Sequence, residues 1–330
     1  MNKLTVQILF LFITITTFAQ QKELTLEDAV LKRFSTLGPE RLPDLQWVKN
    51  TSMVSWQSKD RDKILIRKPG SRSPIQEVSV EEIDTTLGLE LKRIPSVKWV
   101  GSGNFYFQSK GVFYTYSVSS KTGKKLLTLP EETANVDYHE GTNHAAYTKE
   151  NNLFIVDGSG TEQAVTEFDD KNIVSGQAIA RFEFGISKGT FWSPKGSYLA
   201  FYQKDETDVA DYPLLDVTTT PGSLQTIKYP MAGQTSEYGK VGIYDVEKGK
   251  VVYLKVDGPK DQYVTNLGWG PEEQYVYIAV VNRDQNHMWL NKYDAKSGNL
   301  VKTLFEEKHP KYVEPENPVW FLPNNPNEFC

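Results

Sequence analysis

From residue 45 to the end of the chain, apolar residues fall in short runs, many alternating with polar ones, and Gly, Pro, Asn and Asp punctuate the gaps. That is the rhythm of β-strands joined by tight turns. The pattern predicts a hairpin over 45–56 with its turn near 49–51, then strands at 63–67 and 75–80. A second set follows at 97–100, 105–107, 111–118 and 124–129, and a third at 135–138, 145–148, 152–156 and 163–165. A fourth occupies 189–192, 198–203, 240–245 and 250–254, a fifth 264–269, 275–281, 288–293 and 300–304, and 319–321 opens one more. Ahead of these, LTLEDAVLKRFSTL at 24–37 places Leu26, Val30, Leu31 and Phe34 at helical spacing behind Thr25, and Gly38-Pro39 ends it. This predicts a short amphipathic helix, the one helix that the pattern supports.

The sets repeat one another. Most open on an aromatic residue before a turn, at Trp47, Trp99, Tyr138, Trp192, Trp269 and Trp320, with intervals of 52, 39, 54, 77 and 51 residues. The outer hairpins share a second device: Tyr244-Asp245 leading to Gly249 matches Tyr293-Asp294 leading to Gly298, and a looser copy ends at Gly123. In such a connection the glycine supplies the positive φ. Repetition of four short strands at this period is the mark of a β-propeller, whereas a β-sandwich would not repeat its motif. The fold class is therefore all-β, a propeller of four-stranded blades over 45–330, preceded by an N-terminal segment at 20–44 that holds the short helix. About five blades and the first strand of a sixth are present, so the expectation is an N-terminal piece of a longer product whose ring closes elsewhere. The long interval between Trp192 and Trp269 contains 204–238, read as a hairpin or irregular insertion between the second and third strands of a blade. Long loops on rigid scaffolds often carry function.

Composition supports sheets. Tyr, Phe and Trp number 17, 16 and 7, an aromatic fraction of 12%, which favours strands over helices. The net charge of -5 comes from 37 basic and 42 acidic residues well mixed along the chain, without the basic block that a nucleic-acid partner requires. Residues 1–19 read as a secretory signal peptide: one lysine, an apolar core over 6–18, and Thr17 and Ala19 before a cut at Gln20. Export out of the cytoplasm is the expected fate. The only cysteine, Cys330, rules out an intrachain disulfide and a thiolate metal cluster. His139, His144, His287 and His309 lie in turns and loops, in no metal-binding order. Neither a metal nor a cofactor is expected, and no catalytic residue is assigned.

Candidate chemistry is concentrated in SGQAIARFEFGISKGTFWSPKGSYLAFYQ, residues 175–203. Its second half, Trp192-Ser193-Pro194-Lys195-Gly196 and the apolar run after it, reads as the turn and return strand of a hairpin. In its first half Arg181 and Glu183 interrupt the apolar segment 179–186, either as outward-facing strand residues joined by a local salt bridge or as a binding site. Together with Tyr229-Pro230-Met231-Ala232-Gly233, this stretch resembles the N-terminal propeller of the dipeptidyl peptidase IV family of prolyl-specific serine exopeptidases, particularly the secreted enzymes of Gram-negative bacteria, with a likeness running over about 24–330 that implies a periplasmic, outer-surface or secreted location. The resemblance implies an eight-bladed propeller capping an α/β-hydrolase domain that is absent from these residues. It also implies a short helical insertion whose pair of glutamates binds the free α-amino group of the substrate. Glu183 matches one carboxylate of that pair, while the other position falls on Phe182 or Arg181, so release of tripeptides stands beside release of dipeptides. The implied partners are peptides with a free N-terminus and a penultimate Pro or Ala, the missing C-terminal hydrolase domain, and a second copy in a homodimer. The alternative is a stand-alone extracellular propeller acting as a binding or scaffold module.

Overall fold

The computed structural model describes residues 23–330 apart from Glu40, Ser73, Ile75 and Asn324; the expected signal peptide lies outside the described residues. Blade I is built from β1 (Gln46–Trp47), β2 (Val54–Gln57), β3 (Lys63–Arg67) and β4 (Gln76–Ser79). Blade II is β5 (Val97–Trp99), β6 (Asn104–Ser109), β7 (Val112–Ser117) and β8 (Thr122–Thr128). Blade III is β9 (Ala134–His139), β10 (His144–Lys149), β11 (Asn152–Asp157) and β12 (Glu162–Ala164). In blade IV the first strand is divided into β13 (Ile173–Ser175) and β14 (Thr190–Trp192), both paired with β15 (Tyr198–Asp205). A separate hairpin of β16 (Asp211–Asp216) and β17 (Ser223–Lys228) follows, then β18 (Tyr238–Asp245) and β19 (Lys250–Tyr253) complete the blade. Blade V is β20 (Tyr263–Trp269), β21 (Tyr275–Val281), β22 (His287–Asp294) and β23 (Leu300–Lys308), and β24 (Phe321–Leu322) with β25 (Asn325–Phe329) starts another sheet. The chain is thus a partial β-propeller, and the insertion expected at 204–238 from the long Trp192 to Trp269 interval spans 206–237 and contains the β16–β17 hairpin.

The core lies between blades. On β15, Leu199 and Phe201 face the layer shared with blade III, beside Leu153 and Ile155, while Ala200 and Tyr202 face the layer shared with blade V, beside Val276 and Ile278. Alternation along one strand therefore feeds two different cores, which is what a sheet stacked on both faces demands. The recurrent tryptophans bond across the same seams. Trp192 Nε1 donates to Asp137 O on β9 at 2.9 Å, Trp269 Nε1 to Phe191 O on β14 at 2.9 Å, and Trp99 Nε1 to Ser55 Oγ on β2 at 2.7 Å. The repeated Tyr-Asp hairpins also form as read: Asp245 accepts from Lys248 N at 3.0 Å before Gly249 at φ 63°, and Asp294 from Ser297 N at 2.9 Å before Gly298 at φ 69°.

Two expectations are corrected. Val80–Leu87 is an α-helix, α1, so the helix near the N-terminus is not the only one, and Val80 belongs to α1 instead of the strand before it. Its signals are local: Ser79 Oγ caps Glu82 N at 3.2 Å, and Gly88 closes the last turn at φ 65° with its N–H on Asp84 O at 2.7 Å. Val80 and Ile83 bury into the layer between blades I and II. The N-terminal segment, by contrast, keeps only a short wide-turn helix at Asp28–Lys32, and Leu26, Val30, Leu31 and Phe34 stay exposed. A helix this short needs a packed face, and none among the described residues covers it.

Candidate functional site

The divided first strand of blade IV holds the candidate site. Ser175 pairs with Gln203 and Thr190 with Phe201, so the whole of 176–189 is inserted opposite one residue, Tyr202. Tyr202 bonds both ends of the insertion: its carbonyl accepts from Gly176 N at 2.8 Å and its amide donates to Gly189 O at 2.9 Å. A Cβ on Gly189 would lie 2.3 Å from backbone atoms of Gln177, so the two ends cross where only glycine fits. The chain leaves the sheet, makes its excursion and returns at the same rung.

Within it, Ala180–Gly185 coils tightly, with Ala180, Arg181, Phe182 and Phe184 at φ between 51° and 67° and Gly185 at φ 69°. Left-handed backbone costs about 1–2 kcal/mol per non-glycine residue, so this run does not hold itself. It is held from outside. Ala180 N donates to Glu237 Oε1 at 2.6 Å, and Asn266 Nδ2, at a bulge in β20, donates to Phe184 O at 3.1 Å. The Phe184 ring is buried 5.0 Å from that of Tyr263, in the layer formed with Ala279, Val281 and Met288. Glu316 O comes so close to Gly185 that a Cβ would stand 2.0 Å from it.

Between these anchors Glu183 sits in extended backbone at φ -61°, ψ 165°, exposed. Among the described residues its carboxylate makes no hydrogen bond or ion pair. The local salt bridge with Arg181 does not form, because the arginine turns to the insertion hairpin. It donates from Nη2 to Lys228 O and places its guanidinium 4.5 Å from the Tyr229 ring centre. Phe182 is 68% exposed, an unusual place for phenylalanine in left-handed backbone. Neither Arg181 nor Glu183 is a strand residue. The arrangement offers an anion without its own cation, presented from a fixed loop, a geometry in which a carboxylate can pair with a cationic group.

The Lys204 cluster and the four histidines are engaged within the fold. Lys204 lies 2.6 Å from Glu206 and 3.5 Å from Glu237, with all three side chains largely buried beneath the excursion. His139 stacks near Trp192, with centroids 5.7 Å apart, and bonds Thr142, while His144 bonds Thr142 O at 2.9 Å. His287 pairs with Glu306 at 2.9 Å, and His309 accepts local amides from Lys311 and Tyr312. Among the described residues no group of three or more His, Cys, Asp or Glu side chains is placed to hold a metal ion. A cavity of about 960 Å³ between the N-terminal segment and blade I, lined by Arg33, Phe34, Arg41, Trp56, Gln57 and Lys59, includes no residue of the excursion. Sequence reasoning missed Glu237 and Asn266. Asn266 leaves a faint trace as a polar residue within the run 264–269, whereas Glu237 leaves none, since its role depends on a residue 57 positions away.

Comparison with known proteins bears on this geometry. Residues 92–330 match the model of the dipeptidyl peptidase IV (DPP IV) N-terminal region. Dipeptidyl aminopeptidase B of Saccharomyces cerevisiae is 25% identical over 264 residues, which cover 76% of this chain and 31% of that protein. A structure of a candidate dipeptidyl aminopeptidase IV from Bacteroides ovatus superposes with a TM-score of 0.77 at 38% identity, over 88% of this chain and 40% of the other. Porphyromonas gingivalis dipeptidyl peptidase 4, at 19% identity and a TM-score of 0.74 over 92% of this chain and 45% of its own, shows the same fold. The chain spans about a third of the length of the curated relatives it matches. With its blades, divided strand and matched region together, the chain belongs to the family of the dipeptidyl peptidase IV N-terminal region.

Proposed function

We propose that this chain is the substrate-gating propeller of an exported, DPP IV-like serine exopeptidase that releases N-terminal di- or tripeptides after Pro or Ala. In this reading the Ser, Asp and His of hydrolysis belong to an α/β-hydrolase domain outside residues 1–330. The propeller admits unfolded peptide termini, excludes folded proteins, and engages the free amine through Glu183. The observation that carries the reading is the exposed, unpaired Glu183 carboxylate on an excursion anchored at both ends.

The chemistry follows from charge and hydrogen count. A peptide α-ammonium carries a positive charge and three donors, whereas a mid-chain amide carries no charge and one donor. A hydrogen bond between charged groups contributes about 1.5–3 kcal/mol, so the carboxylate selects chain ends over chain interiors. Arg181 is drawn onto Tyr229 and Lys228 O and does not neutralise Glu183, and Phe182 stands beside the carboxylate as an apolar surface. Pairing into a homodimer fits the β16–β17 hairpin, which exposes Leu215, Val217 and Leu224.

The test uses the full-length protein that carries these residues and chromogenic peptides with penultimate Pro or Ala. Hydrolysis from the free N-terminus is expected, with turnover falling at least about tenfold when the amine is acetylated. Equal turnover of free and acetylated peptides would refute amine recognition, and absence of hydrolysis would refute the peptidase reading.

A further inference from the structure

The run at Ala180–Gly185 takes its shape from its neighbours, and its two ends are held by different means. At the exit Phe184 is buried in the apolar layer with blade V, Asn266 holds its carbonyl, and Glu316 presses on Gly185. At the entry Ala180 N donates to Glu237 Oε1 at 2.6 Å. Glu237 immediately precedes β18, and its other oxygen lies 3.5 Å from Lys204 on β15, which also meets Glu206 at 2.6 Å. Ala180 is thereby tied through one carboxylate to two central strands of blade IV. Beneath it a void of about 20 Å³, lined in part by Ile179, Ala180, Glu237 and Tyr263, has room for one water. Without the carboxylate, water can take the Ala180 amide, and a water fixes no direction for the chain.

We propose that Glu237 is a positioning residue for Glu183: by holding the Ala180 amide against blade IV it sets where the Glu183 carboxylate stands. The inference rests on the reading of Glu183 as the amine-binding group. Glu237 does not touch the ligand, since its oxygens are engaged below the excursion. Its effect on substrate therefore passes entirely through Glu183. Arg181, three residues ahead of the exit anchor, braces the same side by bonding Lys228 O and lying over Tyr229, so that the stretch 228–237 clamps the entry as a unit.

A double-mutant cycle in the full-length enzyme tests this, read as the ratio of kcat/KM for a free-amine peptide to that for its N-acetylated form. Glu237→Ala is expected to lower the ratio about tenfold, through KM for the free-amine peptide, and to leave the acetylated peptide's rate unchanged. Glu237→Gln, which keeps an acceptor oxygen, is expected to stay within about threefold of wild type. In a Glu183→Gln background, Glu237→Ala is expected to change the ratio by less than about twofold, an outcome that a general loosening of the fold would not produce. If the alanine variant does not fold, Glu237→Asp, which retracts the oxygen by one carbon, replaces it with the same expected direction. An unchanged ratio in Glu237→Ala alongside a lowered one in Glu183→Gln would overturn the positioning role and leave the amine reading intact. An equal fall in both backgrounds would overturn it too. A ratio unchanged in Glu183→Gln itself would remove the amine reading, and this inference with it.

Discussion

Two neighbouring stretches of blade IV use the same kind of support for opposite ends. The Trp192 to Gly196 turn and the strand after it are regular hairpin, pinned by a carboxylate of the next blade: Glu273 Oε1 accepts Ser193 Oγ and Lys195 N, each at 2.5 Å. The excursion that ends just before it, at Gly189, is irregular, and it too is pinned by a carboxylate that accepts a backbone amide, Glu237 on Ala180 N. In the turn, the Ser193 hydroxyl so held is fully buried, and the result is packing. In the excursion, the pinned backbone delivers one carboxylate, Glu183, that is left exposed and unpaired. What sets the excursion apart from the turn is a charge with no internal partner; burial and hydrogen bonding are common to both.

The comparison can be broken at several points. The largest effect is expected from Phe201→Ala, because Phe201 is fully buried and its ring occupies the space where a Cβ on Gly242 would lie, 2.4 Å away. Loss of about 3–5 kcal/mol of stability is expected in denaturant unfolding, with amine preference per folded molecule unchanged. Next comes Glu273→Ala, which strips the acceptor from buried Ser193 and from Lys195 N, at about 2–3 kcal/mol. The same carboxyl gives a pH signature. Burial pushes its pKa up, but hydrogen bonds from Ser193, Ser197 and the Lys195 amide outweigh this and hold it below the ordinary 4.5. A depressed folded-state pKa stabilises above the unfolded value and ceases to do so as pH falls through the folded one. Wild type should therefore lose stability below about pH 4.5 along a steeper slope than Glu273→Gln, and parallel slopes would contradict the assignment. The smallest effect has the reverse sign. Phe182→Gly removes a left-handed strain of about 1–2 kcal/mol against a glycine entropy cost of about 0.5–1, so a gain near 0.5 kcal/mol is expected where a core phenylalanine would show a large loss.

The difference between the two stretches also explains what the sequence reveals. Strand positions in all five blades, the Tyr-Asp hairpins and the seam tryptophans are written locally, in alternation and turn residues. The helix α1 was equally local, in the Ser79 cap and Gly88, and was obscured by the β-rich residues ahead of it. Helical spacing at 24–37 overstated its helix because spacing reports a face and does not supply the surface that covers it. For the excursion, nothing in Ala-Arg-Phe-Glu-Phe-Gly favours left-handed backbone apart from its glycine. Its conformation comes from Glu237, Asn266 and Glu316, which lie 57, 82 and about 130 positions away in the chain. Family resemblance could point to Glu183, while its supports became visible only once the strands were paired.

The central claim, that Glu183 reads a free amine, is tested most directly by Glu183→Gln in the full-length protein, an isosteric change at an exposed position that should alter stability by less than about 0.5 kcal/mol. Rates on free-amine and N-acetylated peptides are compared in wild type and variant. The account predicts that the preference for the free amine falls about 10- to 100-fold, with the rate on the acetylated peptide unchanged. A preference as strong in the variant as in wild type would contradict it.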